Sequence, residues 1–152
     1  MDKDDWLLST VEEAIDPLEE IVDPHHHLWD FPAGTYLLPE LHLDTGSGHN
    51  VVQTVFVECG AGYRNDGPEH LRPVGEIEFV RQQAEKSVEA QGAEIAGIVG
   101  FADLTRGNSV EEVLAAQDAV GGGKFRGIRH ANAWDESDQI RESHTKPPPG
   151  LL

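Results

Sequence analysis

Residues 21–30 read Ile-Val-Asp-Pro-His-His-His-Leu-Trp-Asp, and the rest of the chain is organised around this stretch. Two apolar residues of high β-propensity open it and predict a strand that runs into three imidazoles. Side chains alternate between the two faces of a strand, so Asp23, His25 and His27 are expected on one face and His26 on the other.

The spacing of His25 and His27 suits the binding of one metal ion. Their Cα atoms are about 6.6 Å apart on a strand that rises ~3.3 Å per residue. Two imidazoles at that separation can converge on one divalent ion, with Zn–N distances of roughly 2.0–2.1 Å. Asp23, on the same face, is a candidate to orient a ligating ring. His-x-His alone is a weak motif, and solvated histidines at a polar strand end are the alternative.

Residues 23–30 resemble the Asp-x-His-x-His opening of the amidohydrolase-related (amidohydrolase 2) family of metal-dependent hydrolases. Within that family they are most similar to the branch that contains sugar-lactone and pyrone-dicarboxylate lactonases. Residues 36–41 (Tyr-Leu-Leu-Pro-Glu-Leu), 55–60 (Val-Phe-Val-Glu-Cys-Gly) and 125–130 (Phe-Arg-Gly-Ile-Arg-His) are similar to the same branch. The resemblance runs in order from about Glu13 to the last residue. It implies a (β/α)8 TIM barrel with a hydrolytic site at the C-terminal mouth of its strands.

The length of the chain limits how much of such a barrel it can form. The 152 residues can bury the core of one domain, whereas a (β/α)8 barrel typically takes about 250. We therefore expect an α/β fold that is the N-terminal half of a TIM barrel, with four parallel strands and helices on the outer face only. Residues 1–20 are expected to be an extension with a short helix, and residues 21–152 an incomplete barrel domain, as in a fragment or truncated gene product.

Charge and composition exclude several classes of partner. The chain has 11 Lys and Arg against 28 Asp and Glu, a formal net charge of −17. Such a surface repels nucleic-acid phosphates and anionic lipid, so the expected partner is a small-molecule substrate, with no nucleic acid and no membrane. The single cysteine, Cys59, excludes an intrachain disulfide. No signal peptide or transmembrane run is present, which predicts a cytoplasmic protein.

Periodicity and capping residues place the elements. Four strands are predicted, at Ile21–His26, Val51–Cys59, Ile95–Phe101 and Lys124–His130. Three helices are predicted, at Leu38–Asp44, Glu76–Gln91 and Val110–Val120. A further short helix is expected after the capping boxes of Ser9 and Thr10, stopped by Pro17, and Ser109 is expected to cap the last helix. The Pro-rich residues 131–152 add no predicted helix.

Three more candidate site residues stand at the ends of predicted strands. Glu58 ends the second strand, where a carboxylate in a barrel reads as catalytic; a solvated strand end is the alternative. Parity places Phe125 and Arg129 towards the barrel interior, where the Arg129 fork suits a substrate carboxylate. An ion pair with one of the many acidic groups is the alternative for Arg129. His130 ends the fourth strand and is a second candidate for substrate binding. Candidate lining residues in the first long loop are Trp29, Tyr36, His42 and His49.

The resemblance implies hydrolysis of a lactone or similar cyclic ester that carries a carboxylate. A divalent metal, zinc in the first instance, would be held by His25 and His27 and would polarise the carbonyl or activate water. Metal-independent polarisation by the same histidines is also open. The family's general base is an aspartate on a late strand, so a half-barrel is expected to be at best a weak enzyme. A decarboxylase of the same superfamily and a non-catalytic acidic fragment that associates through its sheet edges are the alternatives.

Overall fold

The computed structural model describes residues 12–131 and, outside that range, residues 6, 9, 10, 136, 137 and 139. Six strands lie within it: β1 (Glu20–His26), β2 (Trp29–Phe31), β3 (Gly34–Tyr36), β4 (Asn50–Val57), β5 (Glu94–Phe101) and β6 (Phe125–Arg129). Three helices connect them: α1 (Leu38–Thr45), α2 (Val74–Glu89) and α3 (Val110–Val120). Two 3₁₀ segments, Glu69–Leu71 and Leu104–Ser109, precede α2 and α3 respectively.

The main sheet has four parallel strands in the order β1-β4-β5-β6. Each strand pairs with the next long strand along the chain, and α2 and α3 form the crossovers from β4 to β5 and from β5 to β6. Right-handed βαβ crossovers place such helices against the sheet. The prediction of an α/β fold with four parallel strands is confirmed. All four C-terminal strand ends lie at one edge, which is where the candidate site residues stand.

One face of the sheet buries the hydrophobic core beneath α2. Phe56 of β4 and Ile98 of β5 are fully buried against Ile77 and Val80 of α2. Complete burial of such a side chain contributes roughly 1.5–3 kcal/mol each. Because these four side chains pack closely, they fix the position of β4 and β5 relative to α2, and with it the position of the strand ends.

The first residue of β6 lies on the face opposite to the predicted one. Phe125 packs against the core cluster on the helix side, beside the C-terminal Gly121 of α3. Arg126 lies on the other face, where its Cγ would be 3.4 Å from a Cβ at Gly97. The register of β6 against β5 shifts between Phe125 and Gly127, so simple alternation from Arg129 back to Phe125 does not hold. The interior position predicted for Phe125 is therefore wrong.

Several local predictions also differ from the structure. Residues 12–19 are extended, bent or turned, so the helix expected up to Ile15 is absent from the described part of that segment. Ser109 does not cap α3 through its side chain, because its hydroxyl donates instead to the Arg106 carbonyl at 2.9 Å. The loop after β1 contains an unpredicted antiparallel hairpin, β2–β3, which turns at Pro32 and Ala33. The expectation for residues 132–152 lies almost wholly outside the described residues.

No helix among the described residues is both long and apolar enough to cross a membrane. The longest, α2, has 16 residues and carries Glu and Lys side chains along its length.

Candidate functional site at the strand ends

His25 and His27 converge at the C-terminal end of β1. Their Nε2 atoms are 3.3 Å apart, and the rings meet edge to face with centroids 4.9 Å apart. The strand bulges just before them, since three residue steps of β1 from Asp23 to His26 oppose two steps of β4. Pro24 lies within this bulge and has no N–H to donate to the ladder. The bulge therefore turns the two imidazoles towards each other.

Asp23 holds the backbone of this turn. Its Oδ1 accepts a hydrogen bond of 3.0 Å from the backbone N–H of His25. An aspartate that binds the N–H two residues onward stabilises a local turn. Asp23 was predicted to orient an imidazole ring directly. Its contact to a main-chain N–H instead fixes where the His25 side chain begins.

His27 is fixed by the neighbouring strand. Its Nδ1 lies 2.7 Å from the carbonyl oxygen of Val57, the last residue of β4. A carbonyl only accepts, so Nδ1 carries the proton and donates. In the neutral ring the lone pair is then on Nε2, the atom that faces His25. A backbone carbonyl in this role is a common way for proteins to orient a ligating histidine.

The geometry of the pair fits a metal ligand set in part. Two nitrogens at 2.0–2.1 Å from one tetrahedral ion are about 3.3 Å apart, which is the observed separation. The same distance also suits an N–H···N hydrogen bond between the rings. Within the part of the chain that the structure describes, no group of three His, Cys, Asp or Glu residues could hold an ion. The pair therefore supplies two of the three or four protein ligands usual for zinc.

His26, between them in sequence, belongs to the core. Its side chain points to the opposite face and packs edge to face on Phe56, with ring centroids 5.8 Å apart. Neither ring nitrogen has a hydrogen-bond partner within ordinary geometry. Burial lowers the pKa of His26 to about 4, although Asp23 offsets part of the shift. His26 is thus a neutral packing residue at neutral pH.

Glu58 and Arg129, both predicted site residues, contact each other. The Arg129 Nε donates to Glu58 Oε1 at 2.7 Å, and its Nη2 donates to the Glu58 backbone carbonyl at 2.7 Å. Both side chains are mostly buried, with 13% of Glu58 and 27% of Arg129 exposed. The fork expected to hold a substrate carboxylate thus holds a carboxylate of the chain itself. Val57 precedes Glu58, so this ion pair and the histidine pair lie at adjacent positions along the strand ends.

His130 lies on the far side of the same edge. Its ring meets Phe101 edge to face, and its Nδ1 accepts from the Leu104 N–H at 3.1 Å. Its Nε2 therefore carries the proton in the neutral ring and points towards the Asp103 carboxylate, 4.0 Å away. His130 follows β6 and the His25–His27 pair ends β1, and these two strands lie at opposite ends of the sheet order. The structure places all five predicted residues at one sheet edge, in three local groups.

One residue beneath this edge, Glu76, was not predicted from the sequence. It is fully buried in the first turn of α2, and its Oε1 accepts from the N–H groups of Cys59 and Ala61 at 3.0 and 2.8 Å. Burial raises the pKa of Glu76 to about 7. An acidic residue at a helix N-terminus is usually a solvated partner of the helix dipole, so its sequence position did not distinguish it.

Cys59 is not available as a nucleophile. Its thiol is directed at the Leu28 carbonyl, with Sγ 3.3 Å from the oxygen. Burial, helped by the charge of Glu76, raises the pKa of the thiol to about 11. A thiol with such a pKa is almost entirely protonated at neutral pH and is a poor nucleophile.

A cavity of about 390 Å³ opens beside the histidines, between β1 and the hairpin. Trp29 and Tyr36 line it and are stacked, with ring centroids 5.0 Å apart. The Tyr36 hydroxyl donates to Asp44 at 2.6 Å. Of the other two predicted lining residues, His42 packs on Gly92 and bonds the Ala93 carbonyl at 3.1 Å, and His49 is exposed on the surface.

No protein-family model matches this chain, and neither a curated protein nor a solved structure matches it.

Proposed function

We propose that this chain carries the first half of an amidohydrolase-type hydrolytic site and acts on a lactone or similar cyclic ester that bears a carboxylate. In this proposal His25 and His27 hold a divalent metal, zinc in the first instance. The sheet is the N-terminal half of a TIM barrel, and the site lies at the C-terminal mouth of its strands. The family assignment rests on the motif of residues 23–30 and its resemblance to the lactonase-like branch.

The observation that carries the proposal is the geometry of the histidine pair. Two Nε2 atoms lie 3.3 Å apart, and the Val57 carbonyl fixes the tautomer of His27 so that its Nε2 lone pair faces the pair. Solvated histidines at a polar strand end would not require a β-bulge, or a hydrogen bond from one ring to a backbone carbonyl. Both features are what a ligating pair requires.

The strand order supports the barrel assignment. Consecutive parallel strands lie next to each other in the order β1-β4-β5-β6, as in a (β/α)8 barrel. In such barrels the residues at C-terminal strand ends carry the chemistry. The histidine pair ends β1, Glu58 follows β4, and Arg129 ends β6. The arrangement of candidate residues is therefore the one that this fold uses for catalysis.

The reaction adds water across the acyl C–O bond. The water oxygen attacks the carbonyl carbon, the ring C–O bond breaks, and one proton of the water finishes on the released alcohol oxygen. A bound divalent ion supplies Lewis acidity towards the carbonyl and acidifies water. His27 keeps its orientation through Val57, and Arg129 fixes the position of the Glu58 carboxylate at the neighbouring strand end. In the metal-free alternative, an Nε2–H of the histidine pair donates to the carbonyl oxygen.

The first prediction tests metal binding to the 152-residue chain with Co²⁺, whose visible absorption reports nitrogen ligands and low coordination number. His25→Ala and His27→Ala should each raise the Kd for Co²⁺ about ten-fold or more, because each removes one of two ligands. His49→Ala is the matched control, since that histidine is exposed and outside the pair. Equal Kd values for wild type and both ligand variants would contradict the metal site.

Catalysis is tested in the same samples with p-nitrophenyl acetate, with and without Zn²⁺. This ester needs no general acid, since p-nitrophenolate leaves without a proton, so the readout does not depend on residues of other strands. Wild type should hydrolyse it faster than the double variant His25→Ala/His27→Ala, while His49→Ala should match wild type. If the double variant and wild type give the same rate under both conditions, the hydrolytic role of the pair is wrong.

A further inference from the structure

A second and larger cavity lies at the same edge of the sheet, above the ends of β4 and β5. Its volume is about 470 Å³, within the range of roughly 300–1,000 Å³ typical of small-molecule sites. The segment 69–73 before α2 forms one wall, and Asp103 and Arg106 at the start of the second 3₁₀ segment form the other. None of the residues predicted from sequence as site residues lines it. The cavity is therefore a separate candidate for ligand binding.

Two arginines line this cavity, and neither forms an ion pair with a described residue. Arg72 stands on one wall and Arg106 on the other. The other described arginines and lysines mostly have carboxylate partners: Arg64–Glu78, Arg81–Glu85, Lys124–Glu94 and Arg129–Glu58. A chain of net charge −17 has acidic groups to spare for its cations. Two unpaired guanidinium groups that face one cavity mark a place suited to an anion from outside.

The remaining lining limits which anion fits. Asp103 is ionised, because hydrogen bonds from the side chain and backbone of Thr105 lower its pKa. Glu69 adds a second carboxylate to the lining. The two carboxylates offset the charges of the two arginines, so the lining has no excess positive charge to compensate a dianion such as phosphate, and the carboxylate oxygens accept hydrogen bonds from hydroxyl groups. Tyr63 and Phe101 supply aromatic walls. The cavity thus fits a small hydroxylated carboxylate.

The Glu58–Arg129 ion pair gives a second reason to expect a ligand carboxylate in this cavity. Arg129 was expected to bind a substrate carboxylate, but its Nε and Nη2 are engaged by Glu58. Phe101 lines the cavity and lies directly opposite Arg129 in the β5–β6 register, so the cavity begins next to that arginine. A carboxylated ligand that reaches this edge therefore meets free cationic charge at Arg72 and Arg106, not at Arg129.

We propose that this cavity binds the carboxylate of a small hydroxylated organic acid, with Arg72 and Arg106 as the groups that recognise its charge. The geometry favours a monoanion, and the walls of the cavity leave room for a molecule of a few carbon atoms. The proposal that this anion binds depends only on the lining of the cavity and not on the proposed hydrolytic function. Only the further step of naming the ligand a substrate rests on the proposed hydrolytic function.

Glycerate is the probe, titrated into the full 152-residue chain at low salt and followed by calorimetry. Arg72→Gln and Arg106→Gln should each raise its Kd about ten-fold or more, because each removes a charge-assisted hydrogen-bond donor. Arg126→Gln is the matched control, since Arg126 lies at an exposed site outside the cavity and donates to the carbonyls of Gly123 and Phe125. Unfolding midpoints of all variants establish that each is folded.

Neutral glyceramide should bind at least ten-fold more weakly than glycerate, and inorganic phosphate should not compete better than glycerate does. Wild-type affinity in both arginine variants, equal binding of glyceramide, or preference for phosphate would each overturn the proposal. The double variant His25→Ala/His27→Ala should keep glycerate binding. Unchanged ester hydrolysis in this double variant would count against the proposed reaction alone, and wild-type glycerate affinity in both arginine variants would count against the carboxylate cavity alone.

Discussion

Three consecutive histidines occupy two different environments, which shows how strongly a strand end separates neighbouring side chains. His25 and His27 face each other at the sheet edge, whereas His26 is 7% exposed and lies against Phe56. The low pKa of His26 keeps it neutral at neutral pH. A chemical probe of imidazole reactivity would therefore distinguish positions that the sequence alone presents as a uniform run.

Replacement of Arg129 tests the ion pair at the residue scale. Lys cannot reproduce two donors in a planar fork, so Arg129→Lys should lose the contact to the Glu58 carbonyl or to its carboxylate. We expect the free energy of unfolding to fall by about 1–2 kcal/mol, the cost of a lost hydrogen bond to a mostly buried group. Urea denaturation measures this change.

Arg81→Lys is the matched control for that experiment. Its partner Glu85 is 58% exposed and follows four residues later on the same helix. Exposed helical pairs contribute only about 0.3–0.5 kcal/mol, so this variant should unfold almost as wild type does. If Arg81→Lys and Arg129→Lys lose the same free energy of unfolding, the Glu58–Arg129 contact stabilises the fold no more than an exposed helical ion pair does.

The sequence predicted which strand ends carry polar groups, but not how those groups pair. Side-chain alternation and the His-x-His spacing predicted that His25 and His27 share a face, because both depend on local geometry, whereas the β-bulge that turns the two rings towards each other was not predicted. The pairing of Glu58 with Arg129 joins residues 71 positions apart and depends on the exact strand register. The burial of Glu76 depends on how far α2 penetrates below the loop that follows β4. Neither is encoded in any local pattern.

At the scale of elements, the start of α2 is held by an unusually close approach of two backbone segments. A Cβ at Gly75 would lie 2.5 Å from the Gly62 carbonyl oxygen and 2.7 Å from the Arg64 nitrogen. Real Cβ atoms do not approach backbone atoms so closely, so the loop or the helix would have to move. This contact fixes the segment that leads to Arg72 in the second cavity.

Gly75→Ala should therefore destabilise the chain, although Ala is the better helix former by up to about 1 kcal/mol. We expect a loss of about 2 kcal/mol or more in the free energy of unfolding, as for other overpacked sites. Gly127→Ala is the matched control, because no atom lies within 4 Å of a Cβ placed there. If urea denaturation shows that Gly75→Ala is more stable than wild type, the loop that contains Gly62 and Arg64 can move away from the added methyl group at little cost.

Element types were predicted better than element boundaries. Hydrophobic periodicity placed all four parallel strands and the three helices α1 to α3, since burial imposes those periods directly. The hairpin β2–β3 has only three residues per strand, too few for a clear period of two. The predicted helix before Pro17 rested on capping residues alone, with no apolar stripe to hold it against the sheet.

At the scale of the whole molecule, two buried titrating groups oppose each other in the pH dependence of stability. The pKa of His26 falls on folding from 6.5 to about 4, so its contribution is present above pH 6.5 and is lost as the pH falls through 4. The pKa of Glu76 rises from 4.5 to about 7, so its contribution is present below pH 4.5 and is lost as the pH rises through 7. Between pH 4.5 and 6.5 the two slopes have opposite signs and largely cancel.

Glu76→Gln should remove one of the two slopes. The amide keeps an acceptor for the Cys59 and Ala61 N–H groups but does not ionise. Relative to wild type, the variant should gain stability as the pH rises from 4.5 to 7, by up to about 3 kcal/mol at roughly 1.4 kcal/mol per pKa unit. Glu58, Cys59 and Tyr63 are the titratable groups that act on Glu76.

Urea denaturation at several pH values between 4 and 8 measures this difference. Glu89→Gln, at the exposed end of α2, is the matched control and should follow wild type at every pH. His26→Leu should have the opposite effect and lose stability as the pH rises through the same range, because Glu76 then acts alone. Parallel curves for wild type and Glu76→Gln would mean that the buried carboxyl does not titrate near neutrality.

The order of the strands in the main sheet also bears on how the chain is made. Because β1, β4, β5 and β6 join the sheet in the order in which a ribosome releases them, each new strand docks on the one that was synthesised just before it. No earlier pairing has to open to admit a later strand. Nascent chains arrested after β4, after β5 and after β6 should therefore gain protease resistance in three successive steps, one for each strand that is added.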